Sequence, residues 1–230
     1  MRHGERADRV DPHGWFNSDA GKKFPFDPPL TELGKKQAHQ AGKEVIDLFG
    51  QNFLIVISSP FVRCIQTAVE ICRVMQAGLC VDRGLGEIFT PKYFGEWSPP
   101  GPALRSAEEI LEFIPSDIDV VGVSESGQFT SDNFIGGAPK WPESHGKLRM
   151  AGRVEEFCER AVALGGASLM LVSHGDCVAA ALSLALAGSK RNKKFMPTVT
   201  KVPYCSYAAL RRAFNEHEAP VGLMDQDADW

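Results

Sequence analysis

Two histidine–glycine pairs stand near opposite ends of the chain, His3-Gly4 in "MRHGER" and His174-Gly175 in "VSHGD". Arginines keep company with the first: Arg2 and Arg6 flank it, and Arg63 lies further on in "SSPFVRCIQTA". Glu87 closes "DRGLGE". These residue types together suit phosphoryl transfer. Guanidinium groups bind non-bridging phosphate oxygens through paired, charge-assisted hydrogen bonds. A neutral imidazole can attack phosphorus and carry the group covalently. A carboxylic acid beside the leaving oxygen can protonate it. The arginines can offset the developing charge themselves, so the set calls for neither a metal nor an organic cofactor.

Such chemistry needs rigid elements beneath it, and the hydrophobic pattern supplies candidates. "FLIVIS" (53–58) and "SLMLVS" (168–173) are short apolar runs of the kind that form buried parallel strands. "LCV" (79–81) is a third, and "YAALRR" (207–212) is a candidate last strand. Thr31 can cap a helix carrying Leu33, Gln37, Ala41, Val45 and Leu48 at helical spacing. A second helix begins near Pro60, with Cys64, Ala68, Ile71 and Met75 on its buried face. Others are predicted within "SAEEILEFI", over about 143–164, and in the strongly apolar "DCVAAALSLALAG". This strand–helix alternation predicts an α/β fold of three layers, a mostly parallel sheet with helices on both faces. Ligands in such folds gather beyond the carboxyl ends of the strands. Ser59, Pro60 and Arg63 follow the first strand, Asp82, Arg83 and Glu87 the second, and His174, Gly175 and Asp176 the third.

The remaining stretches read as loops. Residues 7–29, rich in Pro, Gly, Asp and aromatics, are expected to be one long irregular loop. Residues 89–142, rich in proline and glycine, are expected to form an irregular cap-like insertion within a single domain spanning 1–230. Trp15, Phe16, Phe24 and Phe26 follow the first motif, and Phe89, Tyr93, Phe94 and Trp97 follow Glu87. Two roles are open to them: lining an apolar substrate pocket, or packing the loops onto the core.

Composition narrows the class further. At 230 residues and 43% hydrophobic content the chain is long enough for a substantial core. No apolar run reaches the length of a transmembrane helix, and the N-terminus shows no secretory signal pattern. Six scattered cysteines without a C-x-x-C pair suit buried thiols in a reducing compartment, so a cytoplasmic location is expected. A net charge of −4 argues against a broad nucleic-acid surface, and the basic run "SKRNKK" (189–194) reads as a solvated loop. No nucleic-acid or membrane partner is expected.

The motifs "RHGER", "LTELGKKQA", "SSPFVRCIQTA", "DRGLGE" and "VSHGD", in this order, resemble the histidine phosphatase superfamily, whose fold is phosphoglycerate mutase-like. The resemblance implies that His3 is the phosphorylated nucleophile and Glu87 the proton donor. By the same resemblance Arg2, Arg6 and Arg63 bind the phosphate, and His174 contacts it. "RHGER-D", "SSPFVRCIQTA", "GLGE" and "KVPYCSYAAL" most resemble the branch of the suppressor of T-cell-receptor signalling phosphatases and ecdysteroid-phosphate phosphatase. That branch implies hydrolysis of phosphomonoesters, with phosphotyrosine on a phosphoprotein or a phosphorylated small molecule as substrate. The branch tends to form homodimers, although no pattern here identifies an interface.

Two departures from relatives matter. Mutases typically read R-H-G-E-S/N with a nearby W-N pair, whereas Arg6, Ala7 and Asp8 follow Glu5 here, which makes mutase activity the weaker expectation. Acid phosphatases of the superfamily typically carry an adjacent His-Asp, whereas Gly175 separates His174 from Asp176. The superfamily also includes a phosphatase-like subunit of the polymerase III transcription machinery, so a catalytically weak or inactive interaction protein on this fold is the alternative. In the superfamily the R-H-G motif follows a central parallel strand, and a strand needs about five residues. Only Met1 precedes Arg2, so the first central strand is expected to be missing from this sequence and Met1 to be an internal methionine; a chain that began here would place Arg2 and His3 on a frayed end.

Overall fold

A computed structural model of the protein describes residues 1–98, 101–123, 129–130, 134–187 and 202–210. The chain enters through three short helices, α1 (Ala7–Val10), α2 (Pro12–Asn17) and α3 (Asp19–Lys23). The expected irregular loop over 7–29 is therefore largely helical. The reason is local: Asp11 accepts from the Gly14 amide ahead of Pro12, and Ser18 accepts from the Gly21 amide. Each of these caps satisfies a donor that a four- to six-residue helix would otherwise leave bare. Helix α4 (Glu32–Phe49) then starts where Thr31 accepts from the Gly34 amide.

The core alternation follows. Strand β1 (Phe53–Ser58) leads into α5 (Val62–Met75), β2 (Gly78–Asp82) and a 3-10 turn at Arg83–Leu85. The next segment carries α6 (Pro91–Phe94), α7 (Ala107–Leu111), β3 (Gly122–Val123), β4 (Phe129–Thr130) and β5 (Phe134–Ile135). Helix α8 (Gly146–Ala163), β6 (Ser168–Val172) and α9 (Gly175–Ala187) complete the order. The main sheet runs β5-β2-β1-β6 with every pairing parallel, while β3 and β4 form a separate antiparallel pair.

Alternate strand residues serve opposite faces, as the two-residue period of a strand requires. Val56, Leu79, Val81, Met170 and Val172 pack with Ala38, Ala41 and Val45 of α4 and with Ile65, Ala68 and Ile71 of α5. Ile55, Ile57, Cys80, Leu169 and Leu171 pack on the other side with Met150, Val154 and Phe157 of α8 and Cys177 and Ala180 of α9. The fold is thus the expected three-layer α/β sandwich. Cys64, Cys72, Cys80 and Cys177 fill buried core positions.

Residues 1–3 lie beside β6. The Met1 amine donates to the Leu171 carbonyl at 2.7 Å, Ser173 N–H donates to the Met1 carbonyl, and His3 N–H donates to the Ser173 carbonyl. Arg2 is thereby in parallel register with Ser173. On the opposite side Arg2 N–H donates to the Ser206 carbonyl. Met1 is buried. The last expected strand does not form over 207–210, and 211–212 lie outside the described residues, as does "SKRNKK". Just ahead of it Cys205 takes a φ of 57°, which breaks extension before Tyr207.

Candidate active site

The four motifs meet at one end of the sheet because each follows a strand or joins its ladder. His3 is held on the backbone by Ser173, and its Nδ1 is 2.8 Å from the Gly4 carbonyl. That contact makes Nδ1 the protonated nitrogen and leaves the Nε2 lone pair free. Burial and the guanidiniums of Arg63, Arg2 and Arg6 hold the imidazole well below its ordinary pKa, so it is neutral at pH 7. The His174 ring sits edge-on to it, with centroids 5.6 Å apart.

Gly4 is where two motifs interlock. A Cβ there would meet the Gly34 carbonyl oxygen at 2.4 Å, and a Cβ on Gly34 would meet the Glu5 carbonyl oxygen at 2.4 Å. The first turn of α4 therefore presses directly on the backbone beside His3. Glu5 strengthens the joint: its carboxylate accepts from the Thr31 hydroxyl at 2.7 Å, and its amide donates to Gln37. The Gly4 amide donates to Thr67 Oγ1, whose hydroxyl donates to the Arg63 carbonyl, tying in the start of α5.

Arg63 is almost fully buried. Its Nη1 donates to the Phe26 carbonyl at 3.0 Å and its Nη2 to His174 Nδ1 at 3.3 Å. Its Nε is buried and has no hydrogen-bond partner among the described residues. An unmet buried guanidinium donor is costly unless a ligand completes it. His174 Nε2 reaches Ser59 Oγ at 2.9 Å, and Phe61 packs edge-to-face on the ring at 5.2 Å. Burial, together with Arg63, keeps His174 neutral as well.

Glu87 Oε2 lies 3.4 Å from His174 Nδ1, and its Oε1 accepts from the Ile88 amide. Burial raises the Glu87 pKa, with Arg63 opposing, so the carboxyl keeps its proton to higher pH than a free glutamate. Its loop is clamped from α8. Arg149 donates to the carbonyls of Gly84, Gly86 and Glu87 while pairing with Glu143, and Glu143 accepts from the Phe89 amide. Ser173 Oγ adds a bond to the Leu85 carbonyl.

The outer arginines are placed differently. Arg2 donates to the Val202 carbonyl and stacks over Tyr204 at 4.3 Å, and Arg6 forms a two-point ion pair with Asp8. Both remain close enough for their charge to depress His3. Arg83 lies over the Phe134 ring, and Asp82 pairs with Arg153 behind the sheet end. Asp176 accepts from the Tyr93 hydroxyl at 2.6 Å. Phe26, Phe89, Phe94, Trp97 and Trp141 pack edge-to-face upon one another, which is the loop-packing role. Phe89 and Phe61 also line a cavity of about 250 Å³ together with Arg83, Leu104, Arg105 and Ile110.

Asp27 and Arg149 were not legible as site residues. The contacts that tie them to the site, Asp27 to the Val62 amide and Arg149 to the Gly86 carbonyl, span 35 and 63 residues, and neither sits in a motif whose spacing betrays the contact. A lone acidic residue before "PPLT" and a lone arginine on an amphipathic helix carry no local signal.

An α/β sandwich of phosphoglycerate mutase-like fold, with histidines, arginines and one glutamate at the carboxyl end of its sheet, is the class that these elements define. The model of the histidine phosphatase superfamily (branch 1) matches residues 1–108. Over 92% of its length it superposes on 87% of the ecdysone phosphate phosphatase of Bombix mori, with a TM-score of 0.61 at 21% identity. The transcription factor tau 55 kDa subunit of Saccharomyces cerevisiae is 26% identical over 146 residues, which are 61% of this chain and 32% of that protein. The ubiquitin-associated and SH3 domain-containing protein A of Mus musculus is 33% identical over 94 residues, 31% of this chain and 15% of that protein. The chain thus spans a third or less of the curated relatives it matches. No helix among the described residues is long and apolar enough to cross a membrane.

Proposed function

We propose that the protein is a phosphomonoester hydrolase working through a phosphohistidine at His3, of the branch that resembles the suppressor of T-cell-receptor signalling and ecdysteroid-phosphate phosphatases. One observation carries the reading. A buried, neutral His3 with Nδ1 engaged stands in a group of three guanidiniums, one of which keeps an unmet buried donor. A phosphate dianion supplies the acceptors and the negative charge that this group lacks.

The steps follow from the placement. Arg63 takes phosphate oxygens, with Arg2 and Arg6 adding positive field. His3 Nε2 attacks phosphorus in line, forming N–P as the ester P–O bond breaks. The Glu87 carboxyl gives its proton to the departing oxygen. Throughout, the Gly4 carbonyl accepts the Nδ1 proton and steadies the charge that grows on the ring. Glu87, now ionised, takes a proton from water, whose oxygen attacks phosphorus and releases phosphate and neutral His3. His174 contacts the transferring group. Residues 89–142 act as the cap of a single domain, and the cavity beside Phe61 and Phe89 offers room for an organic group such as that of phosphotyrosine or a phosphorylated small molecule.

The interaction-protein alternative has against it that every group the chemistry needs is present and assembled. A generic aryl phosphate assay separates the two. Turnover is expected, and His3→Ala is expected to abolish it; a His3→Ala variant within a few-fold of wild type would sink the mechanism.

A further inference from the structure

We propose that Asp27 is a positioning residue for Arg63, and that through it Arg105 ties the segment leading into α7 to the phosphate-binding guanidinium. The inference rests on the phosphomonoesterase reading. Asp27, in "FPFDPP", is buried, and no step of the reaction uses it. Its Oδ1 accepts from the Val62 amide at 2.8 Å, which pins the residue before Arg63, and lies 3.9 Å from Arg63 Nη1. Its Oδ2 accepts from Arg105 Nε at 2.8 Å. Arg105 in turn lies over the Phe24 ring at 4.2 Å and the Phe113 ring at 5.0 Å, and its side chain is nearly as buried as the carboxylate.

The charges explain the arrangement. Arg63 and Arg105 would repel across a low-dielectric interior, and the single carboxylate between them offsets one unit. One positive charge is left over, on the side where Arg63 Nε has no partner. With Nη1 on the Phe26 carbonyl and Nη2 on His174, the orientation of the fork is set. A neutral residue at 27 strands the Arg105 cation and, separately, removes the carboxylate that faces Arg63 Nη1, so the fork is freed to turn from that seat with or without Arg105.

Asp27→Asn keeps the shape and removes the charge. The inhibition constant for inorganic phosphate is expected to rise about tenfold, and KM for an aryl phosphate to rise more than kcat falls. Asp27→Asn/Arg105→Met also removes the stranded Arg105 cation. It is expected to regain thermal stability but to keep the phosphate defect. A double variant that binds phosphate as wild type does would reduce Asp27 to a counterion for Arg105 and overturn the inference. So would a folded Asp27→Asn with an unchanged phosphate constant and an unchanged KM. A wild-type chain that neither binds phosphate nor turns over aryl phosphates would instead remove the phosphomonoesterase reading, and the inference with it.

Discussion

The rim that carries His3, Arg63, Glu87 and His174 and the segment over 89–142 are fastened by different means. On the rim, backbone bonds hold the strand ends, His3 to Ser173, Ser173 to Met1 and Ser59 to Val172, while the Arg149 side chain clamps the Glu87 loop. In the segment, backbone pairing ties β5 and residues 119–121 to β2, but the stretch before them leans on side chains: aromatic edges among Phe89, Phe94 and Trp141, the Tyr93–Asp176 bond and the Arg105–Asp27 pair. Backbone ladders fix atoms to a fraction of an ångström whatever the side chains, which suits groups that, in the proposed mechanism, meet at one phosphorus. Side-chain fastenings leave the backbone course open to change, which suits the cap role proposed for this region.

The contrast is sharpest in its expected failures. Glu87→Gln on the rim should slow alkyl phosphates by about a hundredfold or more while slowing activated aryl phosphates far less, because only poor leaving groups need the proton. The pH dependence has a defined sign. Burial raises the Glu87 pKa and so extends the acid form to higher pH, and the rate with alkyl esters falls as pH rises through that value. Glu87→Gln should erase this alkaline limb in steady-state profiles. Equal slowing of both ester types would refute the acid role.

Arg149→Met tests whether α8 belongs to the rim. It removes donors to the Gly86 and Glu87 carbonyls and strands Glu143, so a stability loss of about 2 kcal/mol in denaturant unfolding is expected. kcat should fall with it, since the Glu87 loop loses its clamp. A stable variant with full kcat would move α8 out of the site. Tyr93→Phe should do least. It removes one exposed bond to Asp176, costs under about 1 kcal/mol, and changes KM rather than kcat. A larger loss than that of Arg149→Met would erase the distinction between rim and segment.

Strands β1, β2 and β6 and helices α4, α5, α8 and α9 were readable because each buries a repeating apolar face. The candidate site was readable where its residues stand next to those strands in sequence. Helices α1, α2 and α3 were not, because four to six residues with few buried positions leave no period to detect, and Asp11 and Ser18 resemble ordinary loop residues until their amide partners are known. The Asp27–Arg105 pair joins residues 78 apart. Opposite charges that far apart in a chain are common, and only the fold says which ones meet.

The interlocked glycines at 4 and 34 carry a last implication, for anyone varying this protein by selection. A tight side-chain contact can be relieved by trimming the neighbour. Here each missing Cβ faces a carbonyl oxygen of the opposite backbone, and backbone has nothing to trim. No second-site change in residue size opens space for alanine at either position. "RHGER" and "LTELG" are thus two halves of one joint, and libraries that randomise one half to compensate for the other should return glycine at both.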